Sequence, residues 1–200
     1  MKRTFWVCLV LMLTAALPSC TQRESARMRR LVIREVSLGK VPPGIIAKSV
    51  LVSPDSRRVA CVAQRNSKQL VVVDGVEGKE YDGNWEDTLV FSPNSRRLAY
   101  VAGRGDKWLV VVDGVEGKEY DGVMGGSIHF SPDSRRVAYE AQRGDEWLVV
   151  VDGVEGKEYY GIGESGVHFS PDSRRLAYAA GRGGKWRVVV DGVEGKEYDG

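Results

Sequence analysis

At 200 residues and 22.1 kDa, with 42% apolar and 28% charged residues, the chain has the make-up of one or two globular domains. That composition excludes wholesale disorder and a multi-span membrane protein. Acids (27) and bases (29) nearly cancel overall, yet residues 21–48 carry a net +5 and residues 49–200 a net −5. The surplus of negative charge in the main body disfavours a nucleic-acid groove there, since phosphate binding needs a surplus of positive charge on one face, so no nucleic-acid partner is expected.

Lys2 and Arg3 precede an apolar stretch from Phe5 to Leu17, followed by small residues. This is the layout of an export signal, too short to span a bilayer as a helix. The segment ends Leu17-Pro18-Ser19-Cys20, which resembles the lipobox of bacterial lipoproteins, with Pro18 as its departure. The resemblance implies cleavage after residue 19 and lipidation of Cys20. Ordinary cleavage after Ala16 is the alternative. Thr21 after the cysteine favours an outer-membrane destination in a diderm cell. Residues 20–30 then form a basic tether beside the bilayer, where Arg23, Arg27, Arg29 and Arg30 suit anionic headgroups. With Cys8 removed and Cys20 lipidated, Cys61 is the one remaining thiol, and a small core residue is its expected role.

From residue 49 the chain repeats itself. Pro54, Pro93, Pro132 and Pro171 are 39 residues apart, as are Asp74, Asp113, Asp152 and Asp191. Four units follow: 49–83, 84–122, 123–161 and 162–200. In the third, Ser127–Phe130 reads as a strand closed by Ser131-Pro132-Asp133-Ser134, where proline sets φ and the short polar side chains cap the turn. Arg136–Ala141 is a second strand, Trp147–Val151 a third, and Lys157–Tyr159 a fourth after the turn Gly153–Gly156. The Val-rich third strand does not alternate apolar with polar, so both its faces should be buried. Four short antiparallel strands in about 40 residues, stacked on neighbours, describe a β-propeller blade. The expected fold is all-β.

The stretch Phe130-Ser131-Pro132-Asp133-Ser134-Arg135-Arg136-Val137-Ala138-Tyr139 resembles the WD40-like β-propeller repeat of the TolB type, with serine (56, 95, 134, 173) where that repeat has a turn glycine. The resemblance covers residues 49–200 and implies the fold, while such repeats serve both periplasmic scaffolds and non-catalytic domains of peptidases. Residues 31–48 read as a degenerate half-blade, since a shift of 39 lays Leu31-Val32-Ile33 on Leu70-Val71-Val72 and Gly44 on Gly83. The repeats fit a closed four-bladed ring, an open arc, or a ring completed by a second copy, and unpaired blade edges favour association.

The inter-blade connections 84–88, 123–127 and 162–166 differ most between copies. Trp85, Glu86, Asp87, Met124 and Glu164 are therefore expected contact residues, on one rim with Arg65, Arg104, Arg143 and Arg182 at the turns between second and third strands. The opposite rim carries paired arginines (57/58, 96/97, 135/136, 174/175) with Glu77, Glu116, Glu155 and Glu194, expected to neutralise one another. Arg104-Gly105-Asp106 and Arg143-Gly144-Asp145 read as hairpin turns rather than as adhesion motifs. His129 and His168 stand where other copies have Leu51 and Val90. Without nearby cysteines they make an incomplete metal site, and no cofactor is expected. Gly163-Glu164-Ser165-Gly166 lacks nucleophile-elbow spacing, and the carboxylates recur as turn residues do. The expectation is a non-catalytic, lipid-anchored propeller binding a protein or peptide, with a carbohydrate-binding, small-ligand-binding or hydrolytic propeller as the alternative.

Overall fold

The computed structural model describes residues 43–84 and 86–199, with the side chains of Asn84 and Glu86 left out. The proposed signal, Cys20, the tether, most of the half-blade and Trp85 lie outside the described residues. What is described is all-β apart from two single-turn 3₁₀ segments, Ala47–Ser49 and Glu86–Thr88. Four antiparallel sheets follow one another along the chain, each consistent with a propeller blade.

Blade three shows the plan. Val137–Arg143 pairs with Glu146–Val151, which pairs with Val154–Tyr159. The third strand is buried on both faces: Leu148, Val149 and Val150 are each at most 1% exposed. Its neighbours explain this. Ala138 and Val149 pack with Leu176, Tyr178 and Val189 of blade four, while Leu148 and Val150 pack with Val101, Val110 and Tyr120 of blade two. The fourth strand carries one extra residue, because Leu148 faces Glu158 while Val150 faces Glu155. The repeated glycine belongs to this bulge. In blade two, a Cβ on Gly117 would lie 3.0 Å from the Val110 carbonyl oxygen and 3.4 Å from the Tyr139 hydroxyl, leaving no room for a side chain.

The first strand departs from the single run expected from sequence. It is split into Gly122–Val123 and His129–Phe130, which pair separately with the second strand. In the break, Ser127 Oγ accepts the Glu140 N–H at 3.1 Å that a continuous strand would have bonded. Thr88 does the same for Val101 (3.1 Å) and Ser49 for Val62 (2.8 Å). Residues 44–48 belong to this pattern too. Ile45 bridges Ala63, and the Gln64 N–H donates to the Gly44 carbonyl. This part of the expected half-blade therefore pairs within the first blade. Cys61 is a free, buried thiol packed with Ala63, Leu70 and Val72, and burial raises its pKa.

Polar contacts join the blades at every junction. Ser95, Ser134 and Ser173, in the turns after the first strands, hold the left-handed conformation (φ 63, 65 and 64°). Each accepts a backbone N–H from the preceding blade, at Asp55, Asn94 and Asp133 respectively. The tyrosines form a second seam. Tyr81, Tyr120 and Tyr159 stand edge-on to Tyr100, Tyr139 and Tyr178 and donate to Glu116, Glu155 and Glu194 of the next blade.

Candidate functional site

The four arginines expected as ligand contacts are occupied within the fold. Arg65 spans Glu77 (2.6 Å) and Glu80 (3.3 Å) of its own blade, and Arg104 spans Glu116 (2.6 Å) and Glu119 (2.8 Å). Arg143 spans Glu155 and Glu158 at 2.6 and 2.9 Å. Arg182 approaches Glu194 at 3.9 Å and donates to the Glu158 carbonyl. Their long side chains lie across the outer strands, so the glutamates that were expected to neutralise the paired arginines pair with these instead. Glu116 shows the electrostatic result: a hydrogen bond from Arg104, then Lys79 and the Tyr81 hydroxyl, hold its pKa down at about 2.

The paired arginines divide their labour. The second of each pair is structural. Arg97 binds Asp113 at 2.8 Å, caps the Arg135 carbonyl of the next blade at 2.7 Å and stacks 5.3 Å from the Phe130 ring centroid. Arg58 and Arg136 repeat the arrangement at their junctions. The first of each pair, Arg57, Arg96, Arg135 and Arg174, is exposed.

The variable connections run through the breaks in the first strands. They begin beside the turns between second and third strands, where Gly83 pairs with Gly103, and then descend along the strand edge to Phe91 opposite Leu98. Asp87 and Glu164 are exposed, and Met124 is 44% exposed. These residues therefore sit along the edge strand of each blade rather than only at a rim. Asp82 and Asp121, just before the connections, cap the next blade's turn by accepting the Gly105 and Gly144 N–H groups. The Arg-Gly-Asp triplets are thus tied into hairpin turns.

At the other end of the blades, each junction holds a cleft of the same design. Cavities of about 500, 500 and 380 Å³ lie between blades one and two, two and three, and three and four. The middle one has Val110, Val112 and Tyr139 as its floor and Arg97, Arg135 and Asp152 at its edge. Val76, Val115 and Val154 stand at the lips, each 71% exposed, an unusual setting for an aliphatic side chain that recurs identically.

One junction breaks the repeat. Where blades one and two have Val62 and Val101, blade three has Glu140, only 5% exposed. Where blades two and three have Thr88 and Ser127, blade four has Gly166. Both changes meet His129 at the junction of blades three and four. The point a Cβ on Gly166 would occupy is 3.4 Å from Glu140 Oε1 and 4.0 Å from His129 Nε2. Burial raises the Glu140 pKa, with no donor or cation opposing it, while burial and then the charge of His168 lower that of His129. Among the described residues no three His, Cys, Asp or Glu side chains are grouped to hold a metal ion. Aligning the repeats at 39 residues exposes Glu140 and Gly166 as departures, a signal the search for catalytic motifs passes over.

Comparison with known proteins returns fold likenesses. No family model matches the chain, and no curated protein matches it. Among solved structures it is similar to TolB from Acinetobacter baumannii, at 12% identity and TM-score 0.42, over 78% of this chain and 45% of that one. It is similar to hydrazine synthase of Kuenenia stuttgartiensis at 19% identity and TM-score 0.39, over 82% and 51% of the two chains. The Dos1 propeller aligns at 9% identity and TM-score 0.43, over 70% and 42%. The chain spans about half the length of the first two structures.

Proposed function

We propose that this protein is an exported, lipid-anchored β-propeller that binds a protein or peptide without catalysing a reaction. The observation that carries the reading is the row of equivalent clefts, one per blade junction, with Val and Tyr floors, an exposed valine at each lip and the exposed Arg96 and Arg135 in the linings of the first two. A pocket repeated at blade spacing suits an extended segment with apolar side chains at regular intervals, and the exposed arginines suit one with acidic residues between them. Asp87, Met124 and Glu164, on the edge strands, supply a separate surface that does not share these apolar floors.

Anchoring follows from the sequence. Cys20 carries lipid, residues 20–30 lie against anionic headgroups, and the propeller stands on the periplasmic side, at the outer membrane in a diderm cell. Two experiments test the whole. Labelled palmitate should enter the full chain and not the Cys20→Ala variant. A photo-reactive phenylalanine at Val115, with the chain expressed in its own envelope, should give discrete protein adducts that Arg96→Glu/Arg135→Glu abolishes. Absence of adducts from Val76, Val115 and Val154 alike would refute the cleft reading.

A further inference from the structure

Glu140, His129 and Gly166 lie at one junction of a molecule that otherwise repeats its interfaces almost residue for residue. The equivalent point between blades two and three holds Val90, Val101 and Ser127, and that between blades one and two holds Leu51, Val62 and Thr88. Two changes, aliphatic to imidazole and aliphatic to carboxyl, face one point here, beside Gly166, which holds a left-handed φ of 70° that Ser127 and Thr88 do not adopt. Together they convert an apolar contact into a polar recess. Where a Gly166 Cβ would stand, Glu140 Oε1 and His129 Nε2 are the only heavy atoms within 4 Å beyond its chain neighbours, and Val167, 1% exposed, adjoins it in sequence. His129 is exposed, so the recess opens at the edge strand of the blade.

Two groups facing one point define what fits between them. Glu140 is 5% exposed and its carboxyl has no ion pair or side-chain hydrogen bond, while its oxygens keep a path to solvent. Burial therefore disfavours its ionised form, and a cation arriving beside it offsets that penalty. A neutral His129 with its proton on Nδ1 offers Nε2 as a second acceptor. Two acceptors about one small space call for a compact cation with several N–H donors. A hard divalent ion wants six or more oxygens, and zinc wants three or four ligands. A guanidinium is planar and forked, suited to two oxygens of one carboxylate rather than to one carboxylate oxygen and one imidazole nitrogen.

We infer that the recess between blades three and four is a binding site for a primary ammonium group, which donates to Glu140 Oε1 and to His129 Nε2 over Gly166. The ammonium belongs either to a small free amine or to a lysine side chain of a bound chain, and the chemistry is common to both. This site is separate from the clefts, so the two stand or fall by different experiments.

The test uses the full chain with glutamate carboxyl carbons labelled for NMR and n-butylammonium chloride as the probe. One carboxyl resonance, identified by its loss in Glu140→Val, is expected to shift saturably as the probe meets it. Glu140→Val should abolish binding, and His129→Val should weaken it about tenfold or more. Both substitutions install the residue that blade two carries at that place, so folding is retained. Tetramethylammonium, a cation without N–H donors, should leave the resonance unmoved. Nα-acetyl-lysine amide distinguishes the sources: binding tighter than n-butylammonium assigns the site to a lysine side chain, and weaker binding assigns it to a small amine. The inference is overturned if no carboxyl resonance responds to n-butylammonium, if tetramethylammonium shifts it equally, or if Glu140→Val binds the probe as the native chain does.

Discussion

Ser134 offers the sharpest test of how the blades are joined. It sits at φ 65° in a turn where the repeat it resembles has glycine, and its hydroxyl accepts the Asn94 N–H of blade two at 3.0 Å. The left-handed conformation costs an L-residue roughly 1–2 kcal/mol, and a half-buried hydrogen bond returns about 1 kcal/mol. Ser134→Ala keeps the strain, loses the bond and leaves the Asn94 N–H short of a partner, so it should destabilise by about 1–2 kcal/mol. Ser134→Gly loses the same bond but relieves the strain, partly offset by about 0.4–1 kcal/mol of added unfolded-state freedom, and should lie within about 0.5 kcal/mol of wild type. Ser56 provides the internal control: its φ is 58°, it occupies the same turn, and it is exposed where Ser134 is buried. Ser56→Ala should change stability by less than about 0.5 kcal/mol. Urea unfolding of the full chain measures all three, read at constant m-value. If Ser134→Ala and Ser56→Ala prove equal, the serine adds nothing between blades and the reasoning is wrong.

Other perturbations follow from the same geometry. Arg187 replaces the leucine of the other three blades, is 8% exposed, pairs with Glu197 at 3.0 Å and leaves its Nε buried without a partner; Arg187→Leu should raise stability by about 1 kcal/mol or more in urea melts, since well-packed apolar residues often outperform buried ion pairs. Glu140→Val removes a carboxyl that burial desolvates without sealing it from solvent, and should stabilise by about 1 kcal/mol, measured in the same way. The Glu116 pKa is depressed in the folded state from an ordinary 4.5 to about 2, so its contribution is present above about pH 4.5 and lost as pH falls through about 2; acid titration followed by circular dichroism should show a shallower loss of stability for Glu116→Gln across that window. Tyr120→Phe deletes a hydroxyl donating to Glu155 at 3.1 Å while keeping the edge-on ring against Tyr139, and should cost about 1–2 kcal/mol on thermal unfolding.

Much of the architecture was legible because the repeat is so regular. The unalternating Val runs demanded cover on both faces, and the structure supplies it from adjacent blades. The split first strand was not legible, because its pairing is completed by Ser49, Thr88 and Ser127 hydroxyls rather than by a backbone pattern that sequence periodicity can register. Charge partners escaped for a related reason. Arg65, Arg104 and Arg143 sit at strand ends, but a guanidinium on three methylenes reaches back along the sheet to glutamates near the opposite turn. Residue type announced a charged rim; only side-chain reach decided which charges meet.

A chain that repeats itself carries its own reference state, which changes how its odd residues should be weighed. In a unique protein a buried glutamate has no neighbour to be judged against. Here Val62 and Val101 occupy the place of Glu140 in junctions that share most of its surroundings, so the energetic penalty of the carboxyl is visible as a departure from two working solutions. Drift alone favours exposed positions, where substitutions change stability little. Yet Glu140 falls at a packed position and faces the same point as His129, beside Gly166, whose glycine the left-handed φ of 70° requires. Two polar groups facing one point at a single junction are what a ligand-bearing recess requires. The same reasoning reads Arg187 differently, because its two glutamate partners, Glu194 and Glu197, belong to its own sheet and already meet its charge. Glu140 has no such partner, and that contrast sets its junction apart from the others.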